Sequence, residues 1–134
     1  RWMTGTPNVP GLYACRAGPR IVREAGVEAI REKSRRQTKR LVEAGLARGW
    51  KVTAPRDPDR RGGTVAFDVP HGPAVKHELL AREVIVDYRP GAGIRLSPHF
   101  YTEDAECDRA VDEIADVLAT GAWRRHEGAT TVVT

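Results

Sequence analysis

The chain has 134 residues, with 22 Lys and Arg against 18 Asp and Glu, a net charge of +4 and a sequence pI near 9.4. That length supports one ordinary domain with a hydrophobic core and excludes two large ones. A composition of 40% hydrophobic and 30% charged residues is that of a globular protein, and no apolar run approaches the roughly 18 residues of a membrane span. Pro7, Pro10 and Gly11 interrupt the N-terminal apolar stretches, so no signal peptide is legible. Cys15 and Cys107 fit neither a CxxC nor a metal spacing and read as free thiols of a reducing compartment, which points to the cytoplasm.

In chain order, residues 1–11 carry three helix breakers and read as an extended arm. A helix is expected from Leu12 to about Ala25, with a kink or division at "AGP", 17–19. Gly26 separates it from a stronger helix over 27–48, ended by Gly49. On that helix Val27, Ile30, Ser34, Thr38, Leu41 and Val42 form one stripe; Lys33, Arg36, Lys39 and Arg40 lie opposite, with Arg31 and Arg35 flanking. The basic run therefore reads as a solvated helix face. No aromatic residue interleaves with it as on a stacking platform, and nucleic acid is not an expected partner.

Short strands are expected at "WKVTAP" and "TVAFDV", separated by the turn "RDPDRRGG". "AVKHELLARE" predicts a short helix with Val75, Leu79 and Leu80 inward. "VIVDY" and "GIRLS" predict an antiparallel pair joined by "RPGA". A last helix opens at Thr102 as its cap, carries Val111, Ile114, Ala115 and Leu118 as its apolar stripe, and closes at Gly121; residues 122–134 read as a loose tail. The order α-α-β-β-α-β-β-α predicts an α+β, two-layer domain, with helices packed on one face of a 3–4-stranded, mostly antiparallel sheet.

His71 and His77 are six residues apart and do not share a helix face, so no metal site is expected. The "GAG" at 91–93 does not join a strand to a helix, and a phosphate-cradling fingerprint is absent. Two features remain. "GTPN", 5–8, offers the Thr6 hydroxyl and free amides to an anion, or is an ordinary turn. Arg95 interrupts an apolar strand, and an arginine there requires an anion. That anion is either a structural carboxylate such as Asp87, or a ligand carboxylate gripped by the guanidinium fork.

Taken in order, "RWMTGTPNVPGLYACRAG", "GVEAIREKSRRQT", "RRGGTVAFDV" and "VIVDYRPGAGIRLSPHFYTEDAECDRAVDEI" resemble the C-terminal small domain of class V, fold-type I pyridoxal-phosphate enzymes. The resemblance is nearest to kynureninase and kynureninase-like aminotransferases, and runs from residue 1 to about 120. It implies a domain over 12–121, an arm over 1–11 leading from a large domain outside these residues, and a tail over 122–134. The start Arg-Trp-Met-Thr fits a piece of a longer chain.

The resemblance also implies that Arg95 binds the α-carboxylate of an amino-acid substrate, with its partner supplied by the ligand and no internal carboxylate required. Thr6 would reach the phosphate of pyridoxal phosphate, in this family commonly that of the neighbouring subunit of a homodimer. Asn8, Asp87, Arg89, Ser97 and His99 would be active-site neighbours. No catalytic residue is expected among these residues, because the Schiff-base lysine belongs to the large domain, and the chain alone is expected to be inactive. His99-Phe100-Tyr101 departs from the Pro-Leu-Tyr of kynureninases toward epimerase and aminotransferase members. A desulfurase is disfavoured, since "RPGAG" is short and holds no cysteine. The rival from another class is a stand-alone, non-catalytic binding module.

Overall fold

The computed structural model describes residues 5–128 and divides into two compact units, Arg1–Glu32 and Lys33–Thr134. In the first, α1 spans Val9–Ala14 and α2 spans Ala17–Ala25, and α3, Val27–Ala47, begins. The helix expected from Leu12 thus starts three residues earlier, inside the segment read as an extended arm. Asn8 accepts a hydrogen bond from Gly11 N at 3.0 Å, and Pro10 falls in the first turn, where a missing N–H costs nothing. The break comes at Cys15–Arg16, ahead of "AGP", because Pro19 is tolerated in the first turn of α2. Neither α1 nor α2 buries a residue: Val9, Leu12, Tyr13, Ile21 and Val22 are all exposed.

The second unit is the expected two-layer α+β domain. Strands β1 (Lys51–Val52), β2 (Val65–Asp68), β3 (Asp87–Arg89) and β4 (Gly93–Leu96) form an antiparallel sheet in the order β1-β2-β4-β3. Helices α4 (Gly72–Ala81) and α5 (Asp104–Thr120) join α3 against it. By the alternation of the pleat, Val65, Phe67, Ile94 and Leu96 face one side. They share a core with Leu41 and Val42 of α3, Val75 and Leu79 of α4, and Val111, Ile114 and Val117 of α5.

Several expectations change. Helix α3 buries Gln37 as well as Thr38, Leu41, Val42 and Gly45, whereas Val27 is exposed. Its basic run is paired as well as solvated. Arg36 lies 3.5 Å from Asp104 and Arg40 grips Asp108 with two bonds of 2.5 Å; just past the helix end, Arg48 reaches Asp112 at 2.5 Å. Leu80 points outward, and Glu78 takes its place inside, held by Arg82, Arg125 and His126. Val84–Val86 is not strand, because the chain is still leaving α4: Glu83 adopts a left-handed φ of 60° and Val84 N donates to Leu79 O at 2.8 Å.

At the last helix the cap is Glu103, whose N–H donates to Glu106 Oε2 at 2.7 Å. Thr102 instead accepts from His99 N. The inward stripe of α5 is Cys107, Val111, Ile114 and Val117, with Ala115 and Leu118 at its margin. The supposed tail begins with a 3-10 helix, Ala122–His126, whose Trp123 is buried and stacks on His71 at 3.5 Å between ring centroids.

The β3–β4 connection is a turn in which Ala92 N donates to Arg89 O at 3.0 Å, with Pro90 and then Gly91 at φ 78°. Gly93 follows at φ 100°, so close to β2 that a Cβ would run into the carbonyl oxygen of Phe67. Gly91→Ala, in open space, is expected to cost about 1 kcal/mol for its left-handed conformation. Gly93→Ala, strained and obstructed by backbone, is expected to cost more than about 3 kcal/mol. Urea unfolding of the two variants side by side measures the difference.

Candidate functional site: the charged face of the sheet

Since Ile94 and Leu96 point into the core, Arg95 between them projects from the opposite face. Strand β4 is flanked on both sides, so Arg95 has Ala66 as its partner on β2 and Asp87 as its partner on β3. Arg89 and Gly93 pair one step along the same face, as do Lys51 and Asp68 at the other end of the sheet. Helices α3, α4 and α5 pack on one face; the other carries a row of charge.

Arg95 Nη2 donates to Asp87 Oδ2, and Arg89 Nε lies 3.6 Å from the same oxygen. Asp87 Oδ1 accepts from the Tyr88 amide at 2.8 Å. The hydrogen bond from Arg95 does most to hold the Asp87 carboxyl below the usual carboxylate range; the Tyr88 amide and the charge of Arg89 act in the same direction, against a smaller opposing effect of burial. An internal carboxylate is therefore present where none was required. The reason is register: opposite charges directly across an antiparallel ladder pair readily. The arginine is also less enclosed than an apolar strand implied, with its side chain 35% exposed. Its Nε is nevertheless buried and makes no hydrogen bond.

Ser97 continues this face, its hydroxyl 2.9 Å from that of Thr64. His99 lies in the turn beyond β4, exposed, its ring against Phe100 and Tyr101 at 4.4 and 4.2 Å between centroids. Asp87, Arg89 and Arg95 are thus brought together, with Ser97 on the same face. Thr6 and Asn8 belong to the N-terminal unit, where Thr6 is exposed and the side-chain oxygen of Asn8 is engaged in capping α1. Cys107 is buried, and burial, ahead of the nearby carboxylates, pushes its thiol up, away from a reactive thiolate. Sequence reasoning missed Lys33 and Gln37, which bond to the carbonyls of Phe100 and Thr102. Gln37 precedes the buried Leu41 by one helical turn, and that spacing was the available signal.

The depressed Asp87 carboxyl has a consequence for acid stability. Its folded value lies below its unfolded one, so its contribution is complete above the ordinary carboxylate pKa of about 4 and is lost as pH falls through and below it. The pair is half exposed and screened by water, which limits it to about 1 kcal/mol or less. Asp87→Asn is expected to lower stability by that amount at about pH 7 and to match the parent protein at about pH 2, read by denaturant unfolding at both.

Residues 30–114 match the family described as the kynureninase C-terminal domain. The chain is 34% identical over 135 residues to a kynureninase of Burkholderia mallei (strain SAVP1), an alignment covering 97% of this chain and 32% of that protein. It is 28% identical over 137 residues to a kynureninase of Geobacillus thermodenitrificans, covering 98% and 32%. The chain therefore spans about a third of the length of the curated relatives it matches. In fold it is similar to an apo cysteine desulfurase from Thermococcus onnurineus NA1, with a TM-score of 0.79 and 24% identity over 90% of this chain and 34% of that one. A NifS-like protein gives 0.70 and 21% over 87% and 35%. The motifs from α3 to α5 fall on the sheet and helices that the family match spans, and the chain belongs to the kynureninase C-terminal domain family.

Proposed function

We propose that this chain is the C-terminal part of a homodimeric pyridoxal-phosphate enzyme of the kynureninase group, in which Arg95 holds the α-carboxylate of an amino-acid substrate. The observation that carries this reading is the setting of Arg95. It stands on a central strand, on the face opposite the one that α3, α4 and α5 pack against, with its side chain 35% exposed and its buried Nε without a hydrogen-bond partner. A carboxylate accepting two parallel bonds matches such a fork. The exposed apolar residues of α1 and α2 support a setting in a larger protein, since they offer a surface for the remainder of the enzyme to cover.

In this reading Asp87 keeps the guanidinium in place until substrate arrives. When Arg95 turns to the ligand, Arg89, 3.6 Å from the same oxygen, remains beside Asp87, so the carboxylate is not left without a cation. The planar fork then fixes the Cα substituents of the substrate in one orientation. Pyridoxal phosphate, when bound, supplies the electron sink for chemistry at Cα. Thr6 fits its phosphate: the hydroxyl is exposed and follows Gly5, which turns the chain at φ 86°. The lysine that carries the cofactor would come from outside these residues. Cleavage of the Cβ–Cγ bond of an aryl-keto amino acid is the reaction the family favours. Transamination or epimerisation is the second reading, favoured by His99-Phe100-Tyr101 in place of Pro-Leu-Tyr.

In the complete enzyme Arg95→Leu is expected to leave the fold and the cofactor absorption intact while lowering kcat/KM by on the order of 3–5 kcal/mol for every amino-acid substrate. Arg95→Lys should recover part of this, because a point charge lacks the fork. Early melting with normal turnover would instead mark the Asp87 pair as purely structural. Thr6→Ala is expected to weaken cofactor retention by about 1.5–3 kcal/mol, the size of one hydrogen bond to a charged group. Cofactor dissociation unchanged within about twofold would assign the "GTPN" segment to an ordinary turn.

A further inference from the structure

A carboxylate has about four lone-pair sites, and a guanidinium fork fills two of them. In a site closed to water the remaining lone pairs need donors of their own, because an acceptor left unpaired costs binding. The charged face offers few. Asp87 and Asp68 are acceptors, Ala66 and Gly93 have no polar side chain, and Arg89 stands beside Asp87 at 3.6 Å. Lys51 is drawn to Asp68 at 2.8 Å. Thr53, whose N–H bonds to Ala66 O, donates its hydroxyl proton to Ala92 O at 2.9 Å.

Among the described residues of this face, one pair of hydroxyls remains. Val65 opposes Leu96, so the next pair outward, Thr64 and Ser97, falls on the face of Arg95. Their oxygens lie 2.9 Å apart, which carries the ladder one step past the ends of β2 and β4. Two hydroxyls hold two protons, and the bond between them uses one. Neither side chain makes another hydrogen bond among the described residues, and both are exposed. A cross-strand hydroxyl pair steadies a sheet, but that role leaves the second proton unused.

Reach is set by the strand. Ser97 is two residues beyond Arg95 on the same face, about 7 Å along β4. The guanidinium stays level with its own row, since it bonds to Asp87, its direct partner across the ladder. An oxygen hydrogen-bonded on both sides separates its donors by roughly 5–6 Å, and the two oxygens of one carboxylate separate them further. A carboxylate on the Arg95 fork is therefore long enough to meet Ser97.

We infer that Ser97 is a second carboxylate-binding residue: its hydroxyl donates to a substrate oxygen held by Arg95, while Thr64 donates to Ser97 Oγ and fixes the direction of that proton. This rests on the reading of Arg95 as the carboxylate-binding residue and deepens it. Ser97 touches the ligand; Thr64 acts through Ser97 and is a positioning residue. Two hydroxyls in series ending on an anion polarise in one sense, each bond strengthening the next. Such a site favours a free carboxylate over a carboxamide, whose NH2 would face donors with a donor.

The test is calorimetric binding of alanine and alaninamide, which share the amine and differ at the carboxylate, to the full-length holoenzyme. Ser97→Ala is expected to weaken alanine about tenfold, the lower end for a hydrogen bond to a charged group, and alaninamide by no more than about twofold. Ser97→Thr keeps the hydroxyl and should recover most of the loss. Thr64→Val should weaken alanine about threefold, and Thr64→Ser should restore it. The melting temperature is expected to stay within a few degrees in all four variants, since both positions are exposed. Alanine binding unchanged within about twofold in Ser97→Ala, an equal loss for both ligands, or Ser97→Thr as weak as Ser97→Ala would overturn the inference. If alaninamide binds too weakly to measure, the four variants with alanine decide by the same criteria. Arg95→Leu separates the two readings: alanine binding unchanged there removes the carboxylate site as a whole, whereas a large loss there with none in Ser97→Ala removes only the role of Ser97.

Discussion

The antiparallel pairing of β2 with β4 is the constraint on which the rest of the domain depends. Val65 opposes Leu96 and Phe67 opposes Ile94, and these four supply the sheet's share of the core. With a side-chain period of two, that pairing leaves Ala66 and Arg95 no choice but the other face. A slip of one residue would place a guanidinium among Leu79, Ile114 and Val117 and turn Ile94 out to water. Gly93 protects the pairing at its start, because no side chain fits between the two strands there. Core packing and the placement of charge are thus the same structural decision, seen from two sides of one sheet.

Charge on the helical layer is organised by a different rule. Asp104, Asp108 and Asp112 recur every four residues along α5 and meet Arg36 and Arg40 of α3 and Arg48 just past its end. Each pair is largely exposed and individually weak, but together they fix how the two helices lie against each other. Glu78 is a different case. Burial raises its pKa, yet the hydrogen bonds from Arg82 and His126 and the charge of Arg125 outweigh burial and hold it ionised. Arg82 in turn bonds to Glu113 and Asp116 of α5, and its guanidinium is held protonated chiefly by those partners. This knot ties α4, α5 and the 3-10 helix through groups that would be costly to leave unpaired.

The architecture was legible in the sequence because periodicity reports the faces of elements directly. Alternation marked β2 and the β3–β4 pair, and helical spacing placed Leu41, Val42, Val111 and Ile114 in the core. What escaped was set by polar groups whose partners are distant in sequence. Gln37 read as part of a charged run, and only the carbonyl of Thr102, 65 positions away, accounts for its burial. Leu80 looked inward until Glu78 proved to have cations waiting for it. At the site, spacing had already named Asp87 as one possible partner for Arg95, and the structure shows that pair formed. The roles of Thr6 and Arg95 toward a ligand were legible only through resemblance, since neither residue's chemistry is set by its neighbours in sequence.

The family match ends at residue 114, within α5, whereas the core does not. Val117 is wholly buried, and Trp123 closes the far end of α4 by stacking on His71. The family match and the folded core therefore have different boundaries in this domain, while the alignment with the Burkholderia kynureninase runs over 97% of the chain. A shortened version cut where the family match stops would strand the buried ends of α4 and α5 in water, and the limits of such a domain are better drawn by solvent exclusion than by the extent of that match.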